Sequence, residues 1–132
     1  MQQRTKTTSK ILYIEGHSIL RDAFFHLLKY SDSYDVSVAA DGFEGIQKAL
    51  SIHPDLILMG LKMPGLNGFE VIESLRSKPD MANIPIIVIS PWADANSKRR
   101  ALSAGANEHI TPPVDIHWLI KRINRYLKRK SH

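Results

Sequence analysis

The chain has 132 residues, of which 43% are hydrophobic and 23% charged, and its formal net charge at pH 7 is +5. These values are typical of one globular domain with a sizeable core, and the absence of cysteine excludes a disulfide scaffold, a thiolate metal site and a cysteine nucleophile. No apolar run approaches the roughly 20 residues of a membrane helix, and the first ten residues lack the apolar centre of a signal peptide. We therefore expect a cytoplasmic protein without a membrane partner.

Short apolar runs alternate with amphipathic segments in the first half of the chain. A buried strand is predicted at residues 11–14, and a weaker strand at residues 36–40 precedes the turn signal Asp41-Gly42. The helix between these strands has apolar residues at helical spacing: Leu20, Ala23, Phe24, Leu27 and Leu28. The next helix ends at His53-Pro54, and its predicted inner face consists of Phe43, Ile46, Ala49 and Leu50.

The second half continues the alternation. Strands are predicted at residues 56–59, 85–89 and 108–111. The helices between them place Val71, Ile72 and Leu75 inward and then cover residues 97–104, where Gly105 ends the helix. Asp115 is predicted to cap a last helix, whose inner residues are Ile116, Leu119, Ile120, Ile123 and Leu127.

Five βα units in strict alternation predict an α/β domain, in which a doubly wound parallel sheet has helices on both faces. Sites in such sheets lie beyond the carboxyl ends of the strands. The segments at those ends are Glu15-Gly16-His17, Gly60-Leu61-Lys62, Ser90-Pro91 and Pro112-Pro113.

Several stretches of the chain resemble the receiver domain of two-component response regulators. The resemblance covers about residues 10–129 and rests on ILYIEGHSILR, DGFEGIQKAL, PDLILMGLKMPGLNGFEVIESLR, IPIIVIS and ALSAGANEHITPPVD. It implies a flavodoxin-like (βα)5 fold with strand order 2-1-3-4-5. From the composition of the first residues and the few that follow the last helix, we also expect a flexible basic tail at residues 1–9, a single domain at residues 10–130 and no effector domain.

The resemblance further implies a phosphoryl-transfer site, from which this sequence departs. Gly60 stands at the phospho-acceptor aspartate, Glu15 and Gly16 at the acidic pair that helps to hold Mg²⁺, and Pro112 at the charge-neutralising lysine. His109 stands at the aromatic switch position, and only Ser90 keeps its type of side chain. Glycine offers no nucleophile, and one carboxylate is too little for Mg²⁺. We therefore expect no phosphorylation, no enzymatic activity, no cofactor and no metal, with Glu15 left as a solvated carboxylate.

Other chemistry finds little support in the sequence. The six histidines form neither HxxxH nor HExxH spacing, which makes a zinc site improbable, and Ser90 has no His-Asp relay. Asp94 is interpreted as the cap of the fourth helix rather than as a substitute acceptor. In the family, the peptide bond before the proline that matches Pro113 is usually cis, and a cis Pro112–Pro113 bond is predicted here.

The favoured hypothesis is a stand-alone pseudo-receiver that binds a protein partner without being phosphorylated. The resemblance places the interface on the fourth helix, fifth strand and fifth helix, and implies a histidine kinase, a response regulator or a second copy as the partner. The candidate interface residues are Lys98, Arg99, His109, Trp118, Arg122 and Arg125.

Two alternatives remain open. One is a small-molecule sensor that uses the room left by Gly16 and Gly60, with Trp92 over the opening. The other is weak nucleic-acid binding through the basic last helix. We do not expect the second, because that helix has no interleaved aromatics beyond Trp118 and Tyr126.

Overall fold

The computed structural model describes residues 8–30, 34–91 and 95–130, which form five strands and five α-helices. The strands are β1 (Ser9–Ile14), β2 (Tyr34–Ala39), β3 (Leu56–Met59), β4 (Ile86–Ile89) and β5 (Glu108–Ile110). The helices are α1 (Ser18–Lys29), α2 (Gly42–Ile52), α3 (Gly68–Arg76), α4 (Ala95–Ala104) and α5 (Ile116–Lys130), with a single 3-10 turn at Pro79–Met81.

All strand pairs are parallel, and the order across the sheet is β2-β1-β3-β4-β5. The central strands are buried along their whole length, as expected of a parallel sheet covered on both faces. The predicted fold class and strand order are therefore confirmed.

The sheet divides the core into two clusters because successive strand residues point to opposite faces. On one face, Leu12, Ile57 and Val88 belong to the cluster that includes residues of α2, α3 and α4. On the other face, Tyr13 and Leu58 belong to the cluster that includes residues of α1 and α5.

Local signals set several of the helix ends. Asp115 accepts hydrogen bonds from the backbone N–H groups of His117 and Trp118, which confirms the predicted cap of α5. His53 ends α2 with a φ of 49°, and Pro54 follows it. The Pro112–Pro113 peptide bond is cis, as predicted.

The predicted inner faces of α1 and α2 are partly wrong. In α1, Leu28 is buried and Phe24 is half-buried, but Leu20, Ala23 and Leu27 are exposed. In α2, Phe43 is 60% exposed and Leu50 is also exposed. Apolar residues occur on more than one side of each helix, and the fit against the sheet selects the side that is buried.

Some element boundaries also differ by one or two residues. β1 begins at Ser9, inside the segment predicted as a flexible tail. β2 begins at Tyr34 and α4 at Ala95, each two residues earlier than predicted. Trp92 and Asp94, to which the sequence assigned a pocket-covering and a capping role, lie outside the described residues.

Candidate functional site

The residues that follow β1, β3 and β4 meet at the carboxyl edge of the sheet. The Ile14 carbonyl oxygen accepts a hydrogen bond of 3.0 Å from the Gly60 N–H, and the Ile110 carbonyl oxygen accepts one of 3.0 Å from the Ser90 N–H. Because β3 lies between β1 and β4, Gly60 lies between Glu15 and Ser90. The parallel topology thus gathers the predicted strand-end residues at one edge.

The Glu15 side chain fills the space beside Gly60. A Cβ atom built on Gly60 would lie 2.7 Å from Glu15 Oε1, so a side chain at position 60 would require the carboxylate to shift. The carboxylate of Glu15, which follows β1, therefore occupies the volume into which a side chain at position 60 would project.

The expectation that Glu15 is a solvated carboxylate is wrong. Glu15 is only 7% exposed. Its Oε2 atom accepts a hydrogen bond of 3.0 Å from the His17 N–H. Burial raises the pKa of the Glu15 carboxyl group, an effect opposed by this hydrogen bond, by the charges of His17 and Arg21 and by the Gly16 N–H. The absence of a side chain at Gly60 leaves the room, and backbone N–H groups partly compensate for the lost water.

Tyr13 lies beneath this carboxylate on the same face of the sheet. Burial, and then the charge of Glu15, raise the pKa of the Tyr13 phenol. Arg21 donates a hydrogen bond of 2.7 Å to the Glu15 backbone carbonyl. Glu15 is therefore held from β1 and α1 as well as enclosed by Gly60.

The donor set at this edge does not fit Mg²⁺. Glu15 supplies the only carboxylate among the strand-end residues 15, 16, 60, 90 and 112, and a hard divalent cation needs several oxygen ligands with sufficient negative charge. Within the described part of the chain, no group of three or more His, Cys, Asp or Glu side chains could hold a metal ion. No metal-dependent step follows from this arrangement.

An open cleft of about 420 Å³ lies beside the same edge. Its walls are formed by Gly16, His17, Lys62, Met63 and Pro64. A Cβ atom on Gly16 would come within 3.0 Å of Pro64 Cδ, so the missing side chain helps to keep this cleft open.

The predicted interface residues differ in their accessibility. Lys98, Arg99 and Arg125 are exposed, and Trp118 is partly exposed. His109 is half-buried. Arg122 is also half-buried, because its guanidinium pairs with the Glu108 carboxylate and lies over the Trp118 ring.

The Arg122 contacts leave this candidate interface residue only partly accessible. The Glu108 carboxylate also accepts a hydrogen bond of 2.8 Å from the Tyr126 hydroxyl. Glu108, Arg122 and Tyr126 therefore hold α5 against β5, and the accessible basic residues of α5 lie elsewhere on the helix.

Sequence reasoning missed a second polar cluster at the opposite side of the fold. The Arg76 guanidinium donates to the Gly105 carbonyl at 2.9 Å, to the Met81 carbonyl at 2.8 Å and to Asn107 Oδ1 at 3.0 Å. Asn107 Oδ1 also accepts from the Ile86 N–H at 2.8 Å. The signal available in the sequence was Gly105 itself, which has a positive φ in the structure and where a Cβ atom would lie 2.6 Å from Arg76 Cγ.

Comparison with known proteins gives a family match over most of the chain. The family model for the response regulator receiver domain matches residues 11–124. The response regulator ArlR of Staphylococcus saprophyticus is 37% identical over 122 residues, which cover 92% of this chain and 54% of that protein. This chain thus spans about half the length of the curated relatives that it matches.

Solved structures give the same fold. The chemotaxis response regulator CheY4 of Vibrio cholerae has a TM-score of 0.83 and 27% identity, with coverage of 91% of this chain and 99% of that chain. The receiver domain of the sensor histidine kinase PA1611 of Pseudomonas aeruginosa, solved with magnesium in its cleft, has a TM-score of 0.85, 24% identity and coverage of 92% and 99%.

No described helix of this chain is sufficiently long and apolar to cross a membrane. The sheet order, the strand-end site and the match over residues 11–124 lead to one assignment. The chain belongs to the family of response regulator receiver domains of two-component signalling.

Proposed function

We propose that this receiver domain is a pseudo-receiver, which signals through protein–protein contacts without accepting a phosphoryl group and without enzymatic activity of its own. The observation that carries the proposal is the Glu15 carboxylate, which lies in the space beside Gly60. A receiver that takes a phosphoryl group at this edge needs a nucleophilic side chain there, and Gly60 has none.

Two further residues support the proposal. Gly16 adds no carboxylate beside Glu15, and the exposed Pro112 has neither a charge nor an N–H group. Removing one charge-stabilising group from a catalytic site costs about 2.7–4 kcal/mol in the barrier. Losing the acceptor as well leaves no reaction for the remaining groups to accelerate.

The proposed partner is a protein of the same signalling pathway, namely a histidine kinase, a response regulator or a second copy of this chain. The proposed contact lies on α4, β5 and α5, and its accessible residues are Lys98, Arg99, Trp118 and Arg125. The three basic side chains among them suit an acidic partner surface. We further infer that the domain acts in the cytoplasm, where such pathways operate.

The decisive experiment is incubation of the chain with acetyl phosphate and Mg²⁺ at neutral pH, followed by intact-mass analysis. We expect no mass increase, whereas stoichiometric phosphorylation would falsify the proposal. Crosslinking in cell extract, with Lys98→Glu/Arg99→Glu as the interface variant, tests the partner surface. If no protein is crosslinked to the wild type, the interaction half of the proposal is wrong.

The cleft beside Gly16 favours a second candidate, a small-molecule sensor. The cleft has mainly apolar walls at Met63 and Pro64, with Lys62 and His17 as its polar residues. Thermal-shift screening of small carboxylates and phosphates against wild type and Gly16→Leu tests this candidate. A ligand that stabilises only the wild type supports sensing, and the absence of any shift removes the candidate.

A further inference from the structure

The outward side of α5 carries three basic side chains. Lys121, Arg125 and Lys128 are exposed, and their spacing of four and then three residues places them on one side of the helix. The sequence of α5 contains no acidic residue. These cations therefore face solvent without a carboxylate of their own helix beside them.

The charge of these three side chains is not neutralised by a neighbouring element. Within the described part of the chain, no ion pair involves Lys121, Arg125 or Lys128. Arg122 differs from them, because it pairs with the Glu108 carboxylate on the side of α5 that contacts β5. The positive charge of α5 is thus concentrated on the side that turns away from β5.

The same three side chains, together with Asn124, line an open groove of about 420 Å³. The Tyr34 hydroxyl donates a hydrogen bond of 2.7 Å to Asn124 Oδ1, so the part of this amide that is left for a ligand is its NH₂ group. All four lining side chains can therefore donate hydrogen bonds, and none is a carboxylate. A groove of this kind fits an anion with several acceptor oxygens, such as a phosphate group.

Trp118 lies at one end of the basic side chains. It is 43% exposed and precedes Lys121 by three residues, which places it on the same side of α5. The Arg122 guanidinium lies 5.5 Å from the centre of its ring and covers only one of the two ring faces. From Trp118 to Lys128 the helix extends about 15 Å, roughly the length of four stacked nucleotides at about 3.4 Å each.

We propose that Trp118, Lys121, Arg125 and Lys128, which we call the α5 row, bind single-stranded nucleic acid. The three cations contact successive phosphates, and a base stacks on the Trp118 ring. A basic groove with an exposed aromatic ring is typical of proteins that bind single strands independently of sequence. The sequence-based expectation against nucleic acid rested on the small number of aromatic residues in α5, and the structure leaves Trp118 accessible to a base.

Two other anionic partners fit the α5 row less well. An interfacial membrane helix inserts an apolar side into lipid, whereas the apolar side of α5 is buried in the core at Leu119 and Ile123. Protein interfaces are depleted in lysine and centred on buried apolar anchors, and the groove is lined by cations and an amide. An acidic protein surface is the alternative that the experiment has to separate from nucleic acid.

The test is fluorescence anisotropy of a short, labelled single-stranded DNA of mixed sequence, titrated with the full chain. We expect binding at low salt that weakens as salt is raised, with a slope of about −2 in a plot of log affinity against log salt, as three phosphate contacts to a single strand imply. Unlabelled duplex of the same sequence should compete less well, because its paired bases cannot stack on Trp118.

Two variants address the two kinds of contact. Lys121→Glu/Lys128→Glu is expected to lower the affinity by at least about tenfold and to flatten the salt dependence. Neither of these lysines belongs to the proposed partner surface. Trp118→Ala is expected to lower the affinity for the single strand by about tenfold and to leave the salt slope unchanged.

The opposite face of the sheet provides the matched control. Lys98→Glu/Arg99→Glu on α4 makes the same change in net charge as the lysine variant of α5, and it should bind the strand within about twofold of the wild type. Melting curves establish that every variant is folded. The α4 variant is also the interface variant of the crosslinking experiment, so loss of the protein partner and loss of the oligonucleotide are distinguishable.

Four results overturn the inference. The wild type does not bind the strand at low salt; the α4 control loses as much affinity as the lysine variant, which would reduce the effect to net charge; or duplex competes as well as the single strand while Trp118→Ala binds like the wild type. The fourth is displacement of the strand by polyglutamate of equal charge as effectively as by unlabelled strand, which would assign the α5 row to an acidic protein. Phosphorylation of the chain would change none of these results, so the inference is independent of the pseudo-receiver proposal.

Discussion

Two polar clusters of this receiver domain differ in how their charged side chains are held. At one, Arg76 has a hydrogen-bond acceptor for each of its three donor nitrogens and joins α3, the 3-10 turn and the α4–β5 connection. At the other, Glu15 fills the space beside Gly60 and is held by backbone groups of its own loop. The first is complete as a structural contact. The second holds one buried carboxylate beside a glycine, which has no side chain of its own.

The comparison indicates that the residues that stabilise the fold, such as Arg76, are separate from the residues at the candidate site, such as Glu15. The Arg76 cluster stabilises long-range packing, so its loss is expected to reduce stability. The Glu15 cluster places a carboxylate in a buried position, which costs stability because its backbone hydrogen bond replaces only part of the lost hydration. The four predictions below test this contrast, starting from the largest expected effect.

Restoring reactivity is expected to need more than one residue. Gly60→Asp alone should remain unlabelled by acetyl phosphate and Mg²⁺, because the second carboxylate and the lysine are still missing. The triple variant Gly16→Asp/Gly60→Asp/Pro112→Lys should become labelled, as measured by intact mass. The same triple with Asn at position 60 is the matched control. If the single variant labels as efficiently as the triple, our account of the site is wrong.

Removal of the Arg76 guanidinium is expected to destabilise the domain strongly. Arg76→Ala leaves two carbonyl oxygens without their donor and weakens the Asn107 contact, so the free energy of unfolding should fall by about 3 kcal/mol. Urea denaturation measures the change, and the exposed Arg99→Ala should alter it by less than about 0.5 kcal/mol. Equal effects of the two substitutions would show that the Arg76 cluster is not structural.

Glu15 and Gly60 are expected to be energetically coupled. Gly60→Ala should cost about 1–2 kcal/mol, because the new Cβ displaces the carboxylate from its hydrogen bond with the His17 N–H. In a Glu15→Ala background the same substitution should cost little. A double-mutant cycle by urea denaturation gives the coupling energy, and strictly additive effects would contradict the proposed occupancy.

The pH dependence of Glu15 is the smallest expected effect. Its pKa is raised in the folded state, so the folded protein loses stability as the pH rises from below the unfolded glutamate pKa through the folded value. Glu15→Gln removes this loss. The melting temperature of the variant, relative to that of the wild type, should therefore increase as the pH rises from 4 to 7.

Glu44 supplies a control of opposite sign. The hydrogen bond from the Ala40 N–H, and then Lys48, lower the pKa of Glu44, so its contribution is present above the unfolded pKa and is lost on acidification. The melting temperature of Glu44→Gln, relative to that of the wild type, should therefore fall as the pH rises from 4 to 7. If the relative melting temperatures of both variants change in the same direction with pH, the environments assigned to Glu15 and Glu44 are wrong.

Sequence alone was sufficient for the alternation of strands and helices and for the edge at which the site lies. Apolar runs such as residues 56–59 are buried on both faces, so periodicity identifies them directly. The turn at Pro112-Pro113 and the cap at Asp115 depend on local chemistry, which is also legible in the sequence. Gly60 was visible in the sequence as the residue that follows the third predicted strand.

Only the tertiary structure decided which surfaces are exposed and which charges are buried. The apolar residues of α1 allow more than one inner face, and packing on the sheet left Ile19, Leu20 and Leu27 outside. The burial of Glu15 depends on Gly60, which is 45 residues away along the chain but adjacent in the sheet. Local spacing of apolar residues determines whether a segment forms a strand or a helix. Contacts between segments that are distant in sequence determine which of its side chains are buried and which residues they contact.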